Sequence, residues 1–459
     1  MEKVLNFFHI RERKSTLKTE LLAGVTTFLA MAYIIPVNVE MLGESGAGIP
    51  DGGIFFATIM ASVIAAVIMG MIANYPVALA PGMGINAFFT YTVVFGYGLS
   101  WQAALAAVLI SGVLFLILTL SGLRRMIINA IPQSLKYAVG AGIGFFITFI
   151  GLKNAGIVVA NPATLVGLGN LAHPTVLLGI FGLILVVVLY SMGNRFSLII
   201  AILTTAIVGL VLGWLGVGYM PAYVAPDSAM NVWTGVRETF GQAFIAIPEL
   251  FQAPQAIFII FTFLFVDFFD TAGTLIAVGN RAGLINEEGE LVDGNKALMA
   301  DSVGTIAGGI LGTSTVTSYI ESSTGIEQGG RTGLTALTVA GLFLLSLFMF
   351  PFISIFSRVY IEEGVYYSPV TSMALVMVGA LMVTQLKDID WKDKAIVIPS
   401  FLTIVFMIFT FSIAEGIAIG FIFYPIVMVA TKRRKEVHPI MYGLFVFFVI
   451  YFILNAVVV

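Results

Sequence analysis

Two aspartates three residues apart, Asp267 and Asp270, stand in the stretch LFVDFFDTAGT (264 to 274), inside one of the most apolar parts of the chain. In a helix that spacing puts both carboxylates on one face, and Thr271 and Thr274 extend a polar stripe along it. Ionisable residues within an apolar helix are expensive and mark substrate or proton pathways. Asp270 is favoured for direct contact because TAG follows it, where Gly273 leaves room for a close approach; Asp267 reads equally as a pathway group or as a hydrogen-bonder in helix packing. A further carboxylate, Glu321, and an amide, Asn86, lie in two segments described below. Burial disfavours the charged form of a carboxylate, so one set in a desolvated cavity can take up and release a proton. Asp270 and Glu321 therefore form a natural proton-coupling pair, with Asp267 a third candidate. Ionised carboxylates accept hydrogen bonds only, which suits adjacent N–H donors on a planar heterocycle, and Phe268, Phe269, Phe88 and Phe89 offer rings to stack on it.

The elements that must position these groups are membrane helices. Of 459 residues, 59% are hydrophobic and 10% charged, with a mean hydropathy of +1.03, far outside the usage of soluble domains. Apolar runs long enough to span a bilayer recur almost to the last residue, which leaves no room for a sizeable soluble domain. The net charge of −3 argues against a nucleic-acid partner, and the absence of cysteine excludes disulfides, thiol chemistry and cysteine-ligated metal. The basic residues 1–19 read as a cytoplasmic head rather than a cleavable leader, because the next run is long enough to span.

Spans are expected near 20–42, 53–73, 76–96, 100–121, 133–153, 174–191 and 196–215. After a more polar connection at 216–253 a second series follows, near 254–281, 297–311, 313–327, 331–357 and 369–386, with more apolar sequence to the end. TTFLAMAY at 26–33 matches FTFLFVDF at 261–268, SGVLFL at 111–116 matches AGLFLL at 340–345, and GLKNA at 151–155 matches QLKDI at 385–389, in the same order. Fourteen segments in two sevens, 20–215 and 254–459, are expected, and an odd number per half inverts the second half relative to the first. The basic head, Arg124 with Arg125, and Arg195 fall on one side, which should be cytoplasmic. KRRK at 432–435 joins that side only if 395–431 crosses twice.

Two segments at the third position of each half are poor helices. Residues 74–89, NYPVALAPGMGINAFF, carry Pro76, Pro81, Gly82 and Gly84, and residues 312–333, GTSTVTSYIESSTGIEQGGRTG, favour a short strand. Non-helical backbone at membrane depth is tolerated only where protein buries it or it lines a polar cavity, so this matched pair points to a binding site. Strand alternation would put Tyr319 and Glu321 on one face, and half-helices starting after each strand would aim their positive ends at the centre. GIEQGGRT at 325–332 imitates phosphate-loop spacing with Arg for Lys, but it opens no βαβ unit, so nucleotide is not expected. Glu40 and Glu415 lie near span ends and read as interfacial, and His9, His173 and His438 sit in tails or connections, which lends no support to a histidine relay.

Over essentially its whole length the chain resembles the nucleobase cation symporter type two (xanthine/uracil permease) family, within it the AzgA-like branch of hypoxanthine, guanine and adenine permeases. TTFLAMAYIIPVN, APGMGINAFF, FVDFFDTAGTL, ADSVGTIAGGILGTSTVTSYIESSTGI and GGRTGLTAL carry the likeness. The resemblance implies an all-α polytopic protein of the uracil-permease fold, with extended stretches in segments 3 and 10, a core of segments 1–4 and 8–11 and a gate of segments 5–7 and 12–14. It also implies proton symport of purine bases, a homodimer in the bacterial inner membrane and no cofactor. By position, Asp270 and Glu321 match the family's base-binding carboxylates, Asn86 the asparagine of the third segment, and Asn38 lies in the matching first-segment motif. Thr274 and Phe269 complete the expected base site. Ser322, Ser323 and Thr324 follow Glu321, where the xanthine, uracil and ascorbate branches have an asparagine and then glycine; this favours 6-oxopurines or adenine. An anion carrier or channel on the same scaffold is the alternative, opposed by two carboxylates and no core lysine or arginine in the cavity. An intramembrane aspartyl hydrolase is a third reading, opposed by the unlike segments that carry the acids.

Overall fold

A computed structural model describes residues 2–121, 130–223, 232–285, 291–362 and 365–458; Arg124 and Arg125 lie outside these. Nine helices among the described residues are long and apolar enough to cross a membrane. Each satisfies its own backbone, the only economical solution in hydrocarbon besides a closed barrel. Together with shorter helices they pack as two bundles. The first holds Leu17–Met31 with Ile34–Leu42, Asp51–Ile68, Trp101–Ser121, Ala256–Ala282, Gly294–Leu311 and Gly333–Leu345. The second holds Gln133–Asn154, Pro174–Ser191, Ser197–Trp214, Ser372–Val383, Lys394–Phe409 and Ile413–Ala430. At the centre of the second bundle Gly144 and Gly379 let two helices touch backbone to backbone: a Cβ at Gly379 would lie 2.4 Å from the Gly144 carbonyl oxygen.

The two poor helices cross inside the first bundle. Leu79–Pro81 and Val316–Ser318 pair antiparallel, Leu79 opposite Ser318 and Pro81 opposite Val316. Gly82 N–H to Thr315 O (3.0 Å) and Tyr319 N–H to Ala78 O (2.9 Å) extend the ladder, so backbone that would be stranded in hydrocarbon finds partners across the crossing. Pro81 ends the first strand because it has no N–H for a further rung. Helices then leave in opposite directions, Met83–Ala87 running on into Phe88–Gly96, and Ser322–Glu327. The extended stretches expected in segments 3 and 10 are therefore present, paired with each other.

The N-terminal head docks on the side where Asn74 and Arg331 lie, here termed the head side. Arg13 Nη1 donates to the carbonyls of Asn74 (2.6 Å) and Arg331 (2.9 Å), and Asn74 Nδ2 donates to Phe8 O (3.0 Å). Glu20, fully buried, accepts from the backbone N–H of Arg331 (3.0 Å) and Thr332 (3.2 Å) and from the Thr335 hydroxyl (2.6 Å). The amides of GGRT at the start of helix Gly333–Leu345 thus hold a carboxylate from the same chain, which is why a phosphate-like spacing appears without a nucleotide. In the connection 216–253 the described part folds as the short helices Val232–Thr239, Gln242–Ile245 and Ile247–Gln252.

The tail settles what charge alone left open. Lys394–Phe409 and Ile413–Ala430 form a hairpin turned at Phe411, and its ends meet where Arg433 Nη1 pairs with Asp393 Oδ2 at 2.5 Å. Residues 395–431 run out and back, so KRRK returns to the head side. A further helix, Pro439–Val458, then crosses beside Ala256–Ala282, with Tyr451 bonded to Tyr97 (2.6 Å) at the opposite side.

Candidate functional site

At the crossing, side chains from four segments form one polar knot. Asn86 Nδ2 donates to Asn38 Oδ1 (2.6 Å), while Asn38 Nδ2 donates to the hydroxyls of Thr58 (2.6 Å) and Thr313 (3.0 Å). The Ser314 hydroxyl donates to Asn86 Oδ1. Both asparagines are fully buried, and their oxygens are engaged by protein donors. They fix where segments 1, 2, 3 and 10 meet.

Asp270 and Glu321 differ: both are half-buried. Asp270 Oδ2 accepts from the Thr317 hydroxyl (3.3 Å) in the second strand. Glu321 Oε1 accepts from the hydroxyl of Tyr33 (2.7 Å), a residue of the first segment that is 1% exposed. The face carrying Asp270 continues through Gly273, Thr274 and Ala277, none of them buried, and a Cβ on Gly273 would meet nothing within 4 Å. Ile320, Glu321, Thr324, Glu327 and Gln328 make a matching open stripe on the tenth segment. Two helical stripes spaced by three and four residues thus run unburied from the crossing toward the head side.

The rings sort in the same way. Phe88 and Phe89 pack on Phe263 (centroids 4.9 and 6.3 Å apart) and Phe268 on Phe115 (5.6 Å), all buried. Phe269 alone of the four expected rings is half-buried, with the ammonium of Lys136 from the second bundle 5.7 Å from its ring centre. Phe269, Asp270 and Thr274 therefore share an open face with Glu321 across the crossing, whereas Asn38 and Asn86 sit behind it.

The strand alternation expected for Tyr319 and Glu321 does not occur. The strand ends at Ser318, and Glu321 has helical dihedrals (φ −59°, ψ −19°) as the residue preceding helix Ser322–Glu327. Tyr319 turns inward to donate to Pro81 O (2.5 Å). Glu40 also departs from its interfacial reading: it is 3% exposed, and its Oε1 accepts from Arg358 Nε and from the Ser368 hydroxyl, each at 2.7 Å. A charge needs a partner when buried, and Arg358, 318 residues later, supplies it.

Asp267 lies behind Asp270, 1% exposed, and its Oδ2 accepts from Thr305 (2.9 Å). Opposite stands a carboxylate that sequence reading passed over. Asp301 of helix Gly294–Leu311 has no exposure and accepts from Thr271 (2.6 Å) through one oxygen. Its signal was a charge within ADSVGTIAGGIL, disguised by its position near the expected start of a span. Among the described residues no set of three metal-ligating side chains is grouped to hold a metal ion.

The family model for the Permease family (Xan_ur_permease) matches residues 18–419. The chain is 48% identical to the guanine/hypoxanthine permease PbuG of Bacillus subtilis, over 97% of this chain and 99% of that protein. It is 40% identical to the adenine permease AdeP of Escherichia coli, over 94% of this chain and 92% of that protein. Among solved structures, the transmembrane domain of the cyanobacterial bicarbonate transporter BicA superposes with a TM-score of 0.58 at 14% identity, covering 88% of this chain and 97% of that one. That likeness shows the fold alone.

Proposed function

The chain belongs to the permease family and is a multi-pass membrane transporter, not an enzyme; from that premise we propose that it imports purine nucleobases, guanine and hypoxanthine before adenine, by proton symport. The observation that carries the reading is the pair Asp270 and Glu321, both half-buried where their segments meet at the crossing, with the half-buried ring of Phe269 next to Asp270. A purine presents ring and exocyclic N–H groups along an edge, and two acceptor-only carboxylates complement it. Phe269 gives the ring a face, Thr274 a hydroxyl, and Asn86 with Asn38 hold the crossing in place behind them.

The first bundle then acts as the core and the second as the gate. On the side away from the head, Tyr91 of the core bonds to Asn154 of the gate (3.4 Å), and Glu40 of the core holds Arg358 and Ser368 of the connection that leads into the gate helix Ser372–Val383. On the head side Arg195 reaches Glu327 across the same seam at 3.1 Å, with both side chains well exposed. A base released toward the head side meets open stripes, and alternating access requires the buried tie to part instead. The plasma membrane, with a cytoplasmic head, fits the basic residues gathered on that side.

An anion carrier is disfavoured because carboxylates occupy the place where an anion would bind, with no core arginine or lysine paired to them among the described residues. Uptake of labelled hypoxanthine, guanine, adenine, xanthine and uracil into cells lacking base permeases, with and without a protonophore, tests the reading. Protonophore-sensitive uptake of guanine and hypoxanthine is expected; chloride or bicarbonate currents without purine uptake would overturn it.

A further inference from the structure

Lys136 lies in the first turn of helix Gln133–Asn154, in the second bundle, and the base site described above makes no use of it. A lysine near a span end ordinarily runs its stem along the lipid and leaves its ammonium in interfacial water. This one turns to the seam. Its Nζ is 5.7 Å from the ring centre of Phe269, midway along Ala256–Ala282 of the first bundle. The placement is costly. Lys136 is half-buried, and among the described residues no carboxylate forms an ion pair with it. Its hydrogen bond is a 3.3 Å contact to the neutral Oε1 of Gln133, which leaves the other ammonium N–H groups without a protein acceptor among the described residues. The first turn is also the positive end of the helix, where a cation is disfavoured. Lys153, in the last turn of the same helix, is the contrast. It is exposed, at the end that suits a cation, and its Nζ lies over Tyr91 and Phe411 (5.5 and 5.3 Å), which pack on each other (5.4 Å). Lys136 instead meets the half-buried ring of the base site. Phe265 packs on that ring (4.5 Å) and on Phe421 of the gate (5.1 Å), so Lys136 adds a cation beside a cluster of rings that joins the two bundles.

On this geometry, and resting on the purine reading above, we infer that Lys136 is a specificity-determining contact of the gate, which donates to the 6-oxo oxygen and N7 of guanine or hypoxanthine and so selects them over adenine. The acids and the lysine read complementary edges. Asp270 and Glu321 only accept hydrogen bonds, and the ammonium only donates them. A 6-oxopurine offers acceptors at O6 and N7, a pattern that lysine recognises, and an N–H at the neighbouring N1. Adenine carries an amino donor in place of the oxygen, so the ammonium would meet a donor and lose a partner. The flexible four-carbon stem lets the ammonium pass from the face of Phe269 to the edge of a base stacked there. Because Lys136 belongs to the gate and the acids to the core, a 6-oxopurine joins the two bundles through its own edges.

The test is equilibrium binding of labelled hypoxanthine and labelled adenine to the purified full-length protein, wild type and Lys136→Met, with each variant checked by its melt. Methionine keeps an unbranched apolar stem and removes the charge. Hypoxanthine affinity should fall about ten- to a hundredfold while adenine affinity holds or rises, so that the preference for hypoxanthine collapses. Lys136→Gln, which also removes the charge, is the second variant and is read in the same way if the first does not fold. An unchanged ratio of the two affinities in a folded variant would overturn the inference. Equal loss of both bases would overturn it as well, making the lysine a packing residue, and so would a wild type that prefers adenine. A wild type that binds neither base would instead sink the purine reading.

Discussion

Segments 74–96 and 312–328 both enter the first bundle as a short strand and leave it as a helix, yet the groups they bring to the crossing have opposite fates. The first brings Asn86, fully buried and knotted to Asn38 and Ser314. The second brings Glu321, half-buried, with one bond to Tyr33 and an open stripe running away from it. One arm holds the architecture and the other, with Asp270 beside it, carries the exposed chemistry. On the proposed reading, segments of the same shape divide scaffolding from binding, and the division follows which polar atoms the protein itself has already satisfied.

The strongest way to break this division is to remove the open acids. Hydrogen bonds to a charged group contribute about 1.5–3 kcal/mol each, or roughly ten- to a hundredfold in affinity. With the acceptors for the base's N–H groups lost from a half-buried site, Asp270→Ala or Glu321→Ala should abolish uptake of labelled hypoxanthine while the thermal melt in detergent barely moves. Uptake retained in either variant would remove that residue from the base site.

A large structural effect is expected at the seam away from the head. Removing one partner of a buried pair strands the other, at a cost of about 3–5 kcal/mol. Arg358→Ala should therefore lower the melting temperature by several degrees, and Arg358→Ala with Glu40→Gln should regain part of it. No recovery in the double variant would mean that Arg358 is held by something other than Glu40.

At the knot itself, Asn38→Ala leaves the hydroxyls of Thr58 and Thr313 and the Asn86 amide without their partner, a loss of about 1–3 kcal/mol. Stability should fall, and the remaining folded protein should bind base with unchanged affinity. The reverse result, weak binding without loss of stability, would move Asn38 from scaffold to site. The smallest effect belongs to the head-side tie. Arg195 and Glu327 are 39% and 45% exposed, so Arg195→Ala should change stability by less than about 1 kcal/mol, and less still at high salt.

The same division explains what was legible from the residues alone. Asp267, Asp270 and Glu321 stood out because charge in an apolar run needs a reason, and the prolines and glycines of 74–89 announced the broken segment. What stayed hidden was pairing across long separations. Tyr33 reads as one aromatic among many until it meets Glu321, 288 residues on. Glu40 reads as a span end until Arg358 closes on it. Asp301, near the start of the span expected at 297–311, drew no reading of its own, but helix Gly294–Leu311 begins three residues earlier and carries it two turns inward. Strand alternation failed at Glu321 because the strand is only three residues long and the chain turns helical before reaching it.

The central claim is that Asp270 and Glu321 hold a purine. Its most direct measurement is equilibrium binding of labelled hypoxanthine to the purified wild type, Asp270→Asn and Glu321→Gln, each checked by its melt. Saturable binding to the wild type, competed by guanine but not by uracil and lost in both variants, is the result predicted here. Unchanged binding in the two folded variants would contradict it.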